Sequence, residues 1–181
     1  SEIIENQVRM KKSLIPDAQV QKMFGVSLKI GFGYKYDMVK DKFIWLRKEF
    51  TSGYNSVLIY EVPINTIEKD TNIIANITAM RDEIGKANIH GTLPNTWMIT
   101  EAAYAPYLFD VTVAGKKTYL TKGTWELKND FMAGPFVNYA IKDAKNNRYL
   151  ILEGFTFHPS KSKRDLVFEL EAIIQSVKFL K

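Results

Sequence analysis

The segment Phe136-Val-Asn-Tyr-Ala-Ile-Lys-Asp-Ala-Lys-Asn-Asn-Arg-Tyr-Leu-Ile-Leu-Glu-Gly-Phe-Thr-Phe157 decides the fold class. Phe136 to Asp143 and Arg148 to Phe157 are dominated by β-branched, aliphatic and aromatic residues, and Lys145-Asn-Asn147 separates them. Two such runs about a short polar turn read as an antiparallel hairpin. After Pro159 the period changes: Leu166, Leu170, Ile173 and Val177 recur on one helical face, and Ser162 with Asp165 has the spacing of a capping box.

Working outward, the same grammar recurs upstream. Phe43 to Phe50 and Ser56 to Pro63 flank a Gly- and Asn-containing turn at Thr51 to Asn55, which predicts a second hairpin. Ile73, Ile77, Met80 and Ile84 then share one helical face, with Asp70 or Asn72 as the N-cap and an end before Gly91. Val26, Leu28 and Ile30 alternate with polar residues as a half-buried strand does, and Gly31-Phe-Gly33 punctuates them. Further strands are expected at Thr96 to Glu101, Leu108 to Val113 and Tyr119 to Lys128, with a bend near Pro106. Ile4, Val8 and Ile15 predict a short amphipathic helix over residues 2 to 14, stopped by Pro16.

These elements predict an α+β fold: an antiparallel sheet of six to eight strands with long amphipathic helices packed on it. Residues 1–22 are expected to form an N-terminal helix and linker, and 23–181 a single α+β domain. Within it, 23–90 and 96–181 are candidate repeats of one strand-hairpin-helix unit.

Composition narrows the chemistry. There is no cysteine and there are two histidines, His90 and His158, which excludes thiolate and multi-histidine metal sites. The net charge of +5 is spread evenly, with 13 Lys+Arg against 11 Asp+Glu in residues 1–90 and 12 against 9 in residues 91–181. That is a poor footprint for nucleic acid, so none is expected as a partner. No apolar run reaches the ~20 residues of a membrane-spanning helix, and Ser1 does not begin a signal peptide. Gly115-Lys-Lys-Thr118 lacks the spacing of a phosphate loop, Gly31-Phe-Gly33 lacks the third glycine of a dinucleotide fingerprint, and no nucleophile elbow is present. No cofactor is expected.

Two candidate sites remain. Aromatic anchors suit binding surfaces. Trp45 and Arg47 on one strand face, with Trp125, Asp130, Phe131 and Phe136 in the Gly123-Thr-Trp-Glu to Gly134-Pro-Phe136 stretch, are the candidate ligand or partner contacts. Gly134-Pro135 is expected to act first as a backbone break that directs the following hairpin. The alternative is carboxylate chemistry by two of Glu101, Glu126, Asp130 and Glu153, which requires a pair converging across one cleft. Arg81, next to the apolar face of its helix, is expected to make a structural ion pair or a helix-cap contact.

The motifs Phe24-Gly-Val-Ser-Leu-Lys-Ile30, Trp97-Met-Ile-Thr-Glu101, Asp130-Phe-Met-Ala-Gly-Pro-Phe136 and Lys163-Arg-Asp-Leu166 give the chain a resemblance. Over residues 3 to 180 it is similar to the C-terminal region of a family of uncharacterised cell-envelope lipoproteins of Bacteroidetes. It departs from that pattern at His90 before Gly91 and at Ala133-Gly134. Members typically carry a lipidated N-terminal cysteine and a further N-terminal region. The resemblance therefore implies a trimmed soluble portion of a protein held at the envelope by a lipid anchor outside this chain. The layout is also similar to PsbP/Mog1-like folds, an analogy of architecture only. Together these readings predict a non-catalytic binding or scaffolding domain for an envelope protein or surface ligand, with a hydrolase of envelope glycans as the alternative.

Overall fold

The alternating apolar runs pair into one antiparallel sheet, and the runs of helical period cover its two faces. The computed structural model describes Ile3 and residues 14–159 and 162–181. The helix expected over residues 2 to 14 lies largely outside the described residues. In chain order the elements begin β1 (Leu14–Ile15), α1 (Ala18–Phe24), β2 (Val26–Ser27), β3 (Ile30–Gly31), β4 (Lys35–Lys40), β5 (Phe43–Phe50) and β6 (Gly53–Pro63). Next come α2 (Ile64–Glu68), α3 (Ile73–Asn88), β7 (Trp97–Thr100), β8 (Tyr107–Val113), β9 (Lys116–Lys128) and β10 (Ala133–Asp143). A 3-10 turn (Ala144–Asn146), β11 (Arg148–Phe157), α4 (Lys163–Gln175) and β12 (Lys178–Phe179) complete the chain.

Eight strands form the main sheet in the order β4-β5-β6-β11-β10-β9-β7, with β8 pairing the first half of β9 beside β7. Two meanders, β4-β5-β6 and β9-β10-β11, meet at the central β6–β11 pair, whose register runs from Arg148↔Pro63 to Phe157↔Tyr54. The α+β fold class and the strand count follow the sequence expectation. A division at residues 22/23 falls inside α1, whose Val20 and Phe24 are core residues.

Successive residues of a strand point to opposite faces, and both faces are covered here, so the central strands read as continuous apolar runs. Strand β11 is buried at every position but its last, Phe157. On one face Ile59, Val137, Tyr139, Leu150 and Leu152 pack under Leu170, Ile173 and Ile174 of α4, with Val20 and Phe24 of α1. On the other, Leu58, Tyr60, Trp125, Phe136, Ile151 and Phe155 pack under Ile77 and Met80 of α3 and Ile67 of α2. Each fully buried aliphatic or aromatic side chain contributes about 1.5–3 kcal/mol, so these two layers are the main source of stability.

Close packing of helix on sheet requires glycine at particular places. A Cβ on Gly154 would lie 2.8 Å from Leu170 Cβ, so this residue lets α4 approach β11. Gly134 and Pro135 differ from their expected role. Both lie inside β10, opposite Trp125 and Thr124 of β9. A Cβ on Gly134 would stand 2.1 Å from the Thr156 carbonyl oxygen, so close backbone approach, rather than a turn, demands glycine there. Pro135 precedes the first β10–β11 pair, Phe136↔Phe155, where a missing N–H interrupts no ladder.

The first strand expectation also changes. Val26, Leu28 and Ile30 are buried as their alternation predicts. The run nevertheless divides between two small ladders, β2 with β12 and β3 with β1. Asp17 accounts for the division, because its carboxylate accepts the Leu28 N–H at 2.9 Å and takes that group out of any ladder.

Candidate functional site

A fully buried ion pair lies between α3 and the sheet. Arg81 donates from Nε to Oε1 of Glu153 at 2.6 Å and from Nη2 to Oε2 at 2.9 Å, in the two-pronged geometry that suits a guanidinium and a carboxylate. Both side chains are 1% exposed. Asn138 Nδ2 donates to Glu153 Oε1 at 2.8 Å, Arg81 Nη1 donates to Thr100 Oγ1, and the Phe136 ring lies 3.5 Å under the guanidinium carbon. The Asp82 carboxylate accepts the Thr100 N–H at 2.7 Å. This cluster ties α3, β7, β10 and β11 together, and the ion pair expected for Arg81 is present.

That arrangement decides what Glu153 can do. Its carboxylate is closed in under α3 with its oxygens committed to Arg81 and Asn138, which leaves no approach for a substrate. Alternation along β9 places Glu126 on the face opposite Trp125, and Trp125 shares the Glu153 side of the sheet. Glu126 and Glu153 therefore point away from each other. Glu101 follows β7, and its Oε1 accepts the Ala103 N–H at 2.9 Å. Asp130 lies in the β9–β10 turn, where its Oδ1 accepts the Phe131 N–H at 2.7 Å.

The aromatic candidates separate by burial. Trp125 and Phe136 are each 1% exposed, and Trp45 is 6% exposed, so these three are core side chains rather than surface contacts. The indole N–H groups are satisfied internally: Trp125 donates to the Thr156 carbonyl at 3.1 Å and Trp45 to Ser56 Oγ at 2.9 Å. Arg47 lies 4.0 Å over the Tyr54 ring, with Nε 2.6 Å from Glu49 Oε1. Burial, partly opposed by Arg47, pushes the Tyr54 hydroxyl up to about 12. Phe131 is the exception, fully exposed at the tip of the β9–β10 turn. The alternation rule that pointed to an aromatic-rich sheet face could not show that α3 covers it.

Another exposed aromatic group lies on β8, outside the residues singled out from sequence. Tyr107 is 72% and Phe109 46% exposed, and Tyr104, in the preceding corner, is 68% exposed. Tyr107 stands opposite Lys122 and Phe109 opposite Leu120, so both rings lie on the α4 side of the sheet, and Lys122 Nζ is 6.0 Å from the Phe109 ring. Among the described residues strand β8 pairs only with β9, so its outer side is an edge of the sheet that they form. On the other side of the same corner, Ala105 and Pro106 face Ile74, Thr78 and Asp82 of α3 across a groove of about 420 Å³.

The two edges of the sheet differ in a way that matters for association. Exposed edge strands pair readily with other chains, and charges or bulges prevent it. Strand β4 carries Lys35, Asp37 and Lys40 in six residues and slips register between Tyr36 and Met38. Strand β8, Tyr107-Leu-Phe-Asp-Val-Thr-Val113, has one charge in seven residues and a continuous register. The short β7 is masked differently: Met98 N–H donates to the Ile89 carbonyl at 2.9 Å, and His90 bridges to Trp97. The available signal was an apolar strand ahead of a Gly turn, which sequence alone cannot assign to an edge or a centre.

No helix among the described residues is long and apolar enough to cross a membrane. The described residues hold no group of three or more His, Asp or Glu side chains able to bind a metal ion. No curated protein matches the chain. A family model described as a domain of unknown function, DUF4837, matches residues 13–176, which takes in the elements from β1 through α4. The chain therefore belongs to the DUF4837 family.

Proposed function

We propose that this chain is a non-catalytic binding domain of a cell-envelope lipoprotein, and that it holds a polypeptide partner as an added strand on β8. The open, nearly uncharged edge of β8, with Tyr107 and Phe109 exposed beside it, carries this reading. An incoming extended segment would satisfy the outward backbone groups of β8, and its alternate side chains would pack on the two rings. The groove at Ala105–Pro106 offers an apolar seat for one further side chain at the start of that strand. The envelope setting and lipid anchoring rest on the sequence resemblance. The alternative, a carboxylate-dependent hydrolase, has less support, since Glu153 is sealed in an ion pair and Glu126 faces the other way.

The test is site-specific photocrosslinking in the full-length protein within its native envelope. A benzophenone side chain at Phe109 is expected to form a discrete adduct with a polypeptide, and one at Val39, exposed on β4, is not. Equal labelling from both edges, or none from Phe109, would refute strand addition at β8.

A further inference from the structure

At the opposite end of β10 and β11 the hairpin turn, the end of α1 and residues 179–181 enclose a cavity of about 560 Å³. Its charged side chains are Lys116, Lys145, Arg148 and Lys181 against Glu61 and Asp143, four cationic side chains to two anionic ones. Arg148 is 8% exposed and consumes most of the negative charge: its Nε donates to Asp143 Oδ2 at 2.9 Å and its Nη1 to Glu61 Oε1 at 3.4 Å. Its Nη2 donates to the Phe24 carbonyl at 2.7 Å. Asn146 Nδ2 also donates to Asp143 Oδ2, at 2.8 Å. Burial tends to raise the Asp143 carboxyl, but the bonds from Asn146 and Arg148 hold it below the usual carboxylate range. The acids are thus spoken for by a guanidinium that is itself fixed.

The lysines are not matched in the same way. Lys116 Nζ is 4.0 Å from Asp143 Oδ1, beyond hydrogen-bond distance, and lies 4.8 Å from the Phe179 ring centre. Lys145 is exposed on the 3-10 turn, at the cavity mouth. The wall also contains Met23, Phe24, Phe179 and Leu180, so cationic groups surround a partly apolar hollow. A volume of this size falls within the ~300–1,000 Å³ of small-ligand pockets, and lysine ammonium groups bind phosphate oxygens as point charges.

We infer that this cavity is an anion site for a phosphate-bearing ligand, with Lys116 and Lys145 supplying the contacts and Arg148 holding the floor. The phosphate could belong to a free phosphate ester or to a phospholipid headgroup, and the chemistry of recognition is the same. The site lies beyond the Val113 end of β8, where Lys116 pairs with Val113, and away from the Tyr107 and Phe109 end that carries the proposed docking edge.

The probes are inorganic pyrophosphate, followed by titration calorimetry, and vesicles of phosphatidylglycerol against phosphatidylcholine, followed by co-sedimentation. At least one anionic probe is expected to bind. Lys145→Glu and Lys116→Gln are each expected to weaken it by tenfold or more without shifting the melting temperature. Lys35→Glu, the same charge change at the far edge of the sheet, is expected to leave binding unchanged. Retention of pyrophosphate identifies a free phosphate ester, and retention on phosphatidylglycerol vesicles alone identifies a headgroup. Failure of both probes, or an equal loss in Lys35→Glu, would overturn the assignment.

Discussion

Removing the Arg81 guanidinium is the sharpest perturbation of the interior. Glu153 is 1% exposed, and its remaining partner in an Arg81→Met variant is the single Asn138 amide at 2.8 Å. The variant loses two bonds to Glu153, the bond to Thr100 and the stacking on Phe136. Breaking one partner out of a buried ion pair costs about 3–5 kcal/mol, because the other charge is left without compensation. With a urea slope of about 2 kcal/mol/M, the midpoint should fall by about 1.5–2.5 M. The double variant Arg81→Met with Glu153→Met replaces the pair by apolar volume and should recover most of that loss, since apolar replacement of a buried pair is often neutral. Equilibrium urea unfolding followed by circular dichroism measures both. A single-variant cost below about 1 kcal/mol, or a double variant less stable than the single, would refute the claim that Glu153 depends on Arg81.

Other outcomes follow from the packing and from the tyrosines. Gly154→Ala places a Cβ 2.8 Å from Leu170 Cβ and should cost about 1–3 kcal/mol by overpacking, read as a lower melting temperature; an unchanged one would contradict the tight seat of α4. The hydroxyls of Tyr34, Tyr54, Tyr60, Tyr139 and Tyr149 are all held above the ordinary tyrosine range, chiefly by burial, with Tyr54 at about 12. The unfolded chain then loses these protons first, so stability is full below about pH 10 and declines as pH rises toward and through 12. Urea midpoints equal at pH 9 and pH 11.5 would contradict that burial. Tyr107→Lys with Thr112→Lys, both exposed on β8, should change stability by no more than about 0.5 kcal/mol each, checked by urea unfolding, while abolishing the adduct formed from the benzophenone at position 109.

Strand and helix periods were legible because they reflect burial directly. The β10–β11 hairpin and the two long helices carry unbroken runs or one-faced repeats, and these form where expected. The short elements were not, and the reasons are physical. Strand β4 is a charged edge whose pairing depends on β5 rather than on its own apolar content. Strands β2 and β12 are two-residue ladders, fixed by long-range closure of the chain ends. Trp125 and Phe136 looked like surface anchors because they stand beside acids and a Gly-Pro pair. Their burial depends on α3, which comes from a segment some 40 residues earlier. Arg148 and Glu153 were visible as charges inside an apolar strand, but only the fold shows that one closes on Arg81 and the other walls a cavity.

The claim that β8 is the docking edge is tested most directly by hydrogen–deuterium exchange on the full-length protein, with and without its solubilised native envelope fraction. Protection is expected to rise across residues 107–113, whose outward amides have no partner strand among the described residues, and to stay level across residues 35–40 of β4. Protection confined to β4 or to the Phe131 turn, or no change at residues 107–113, would contradict strand addition at β8.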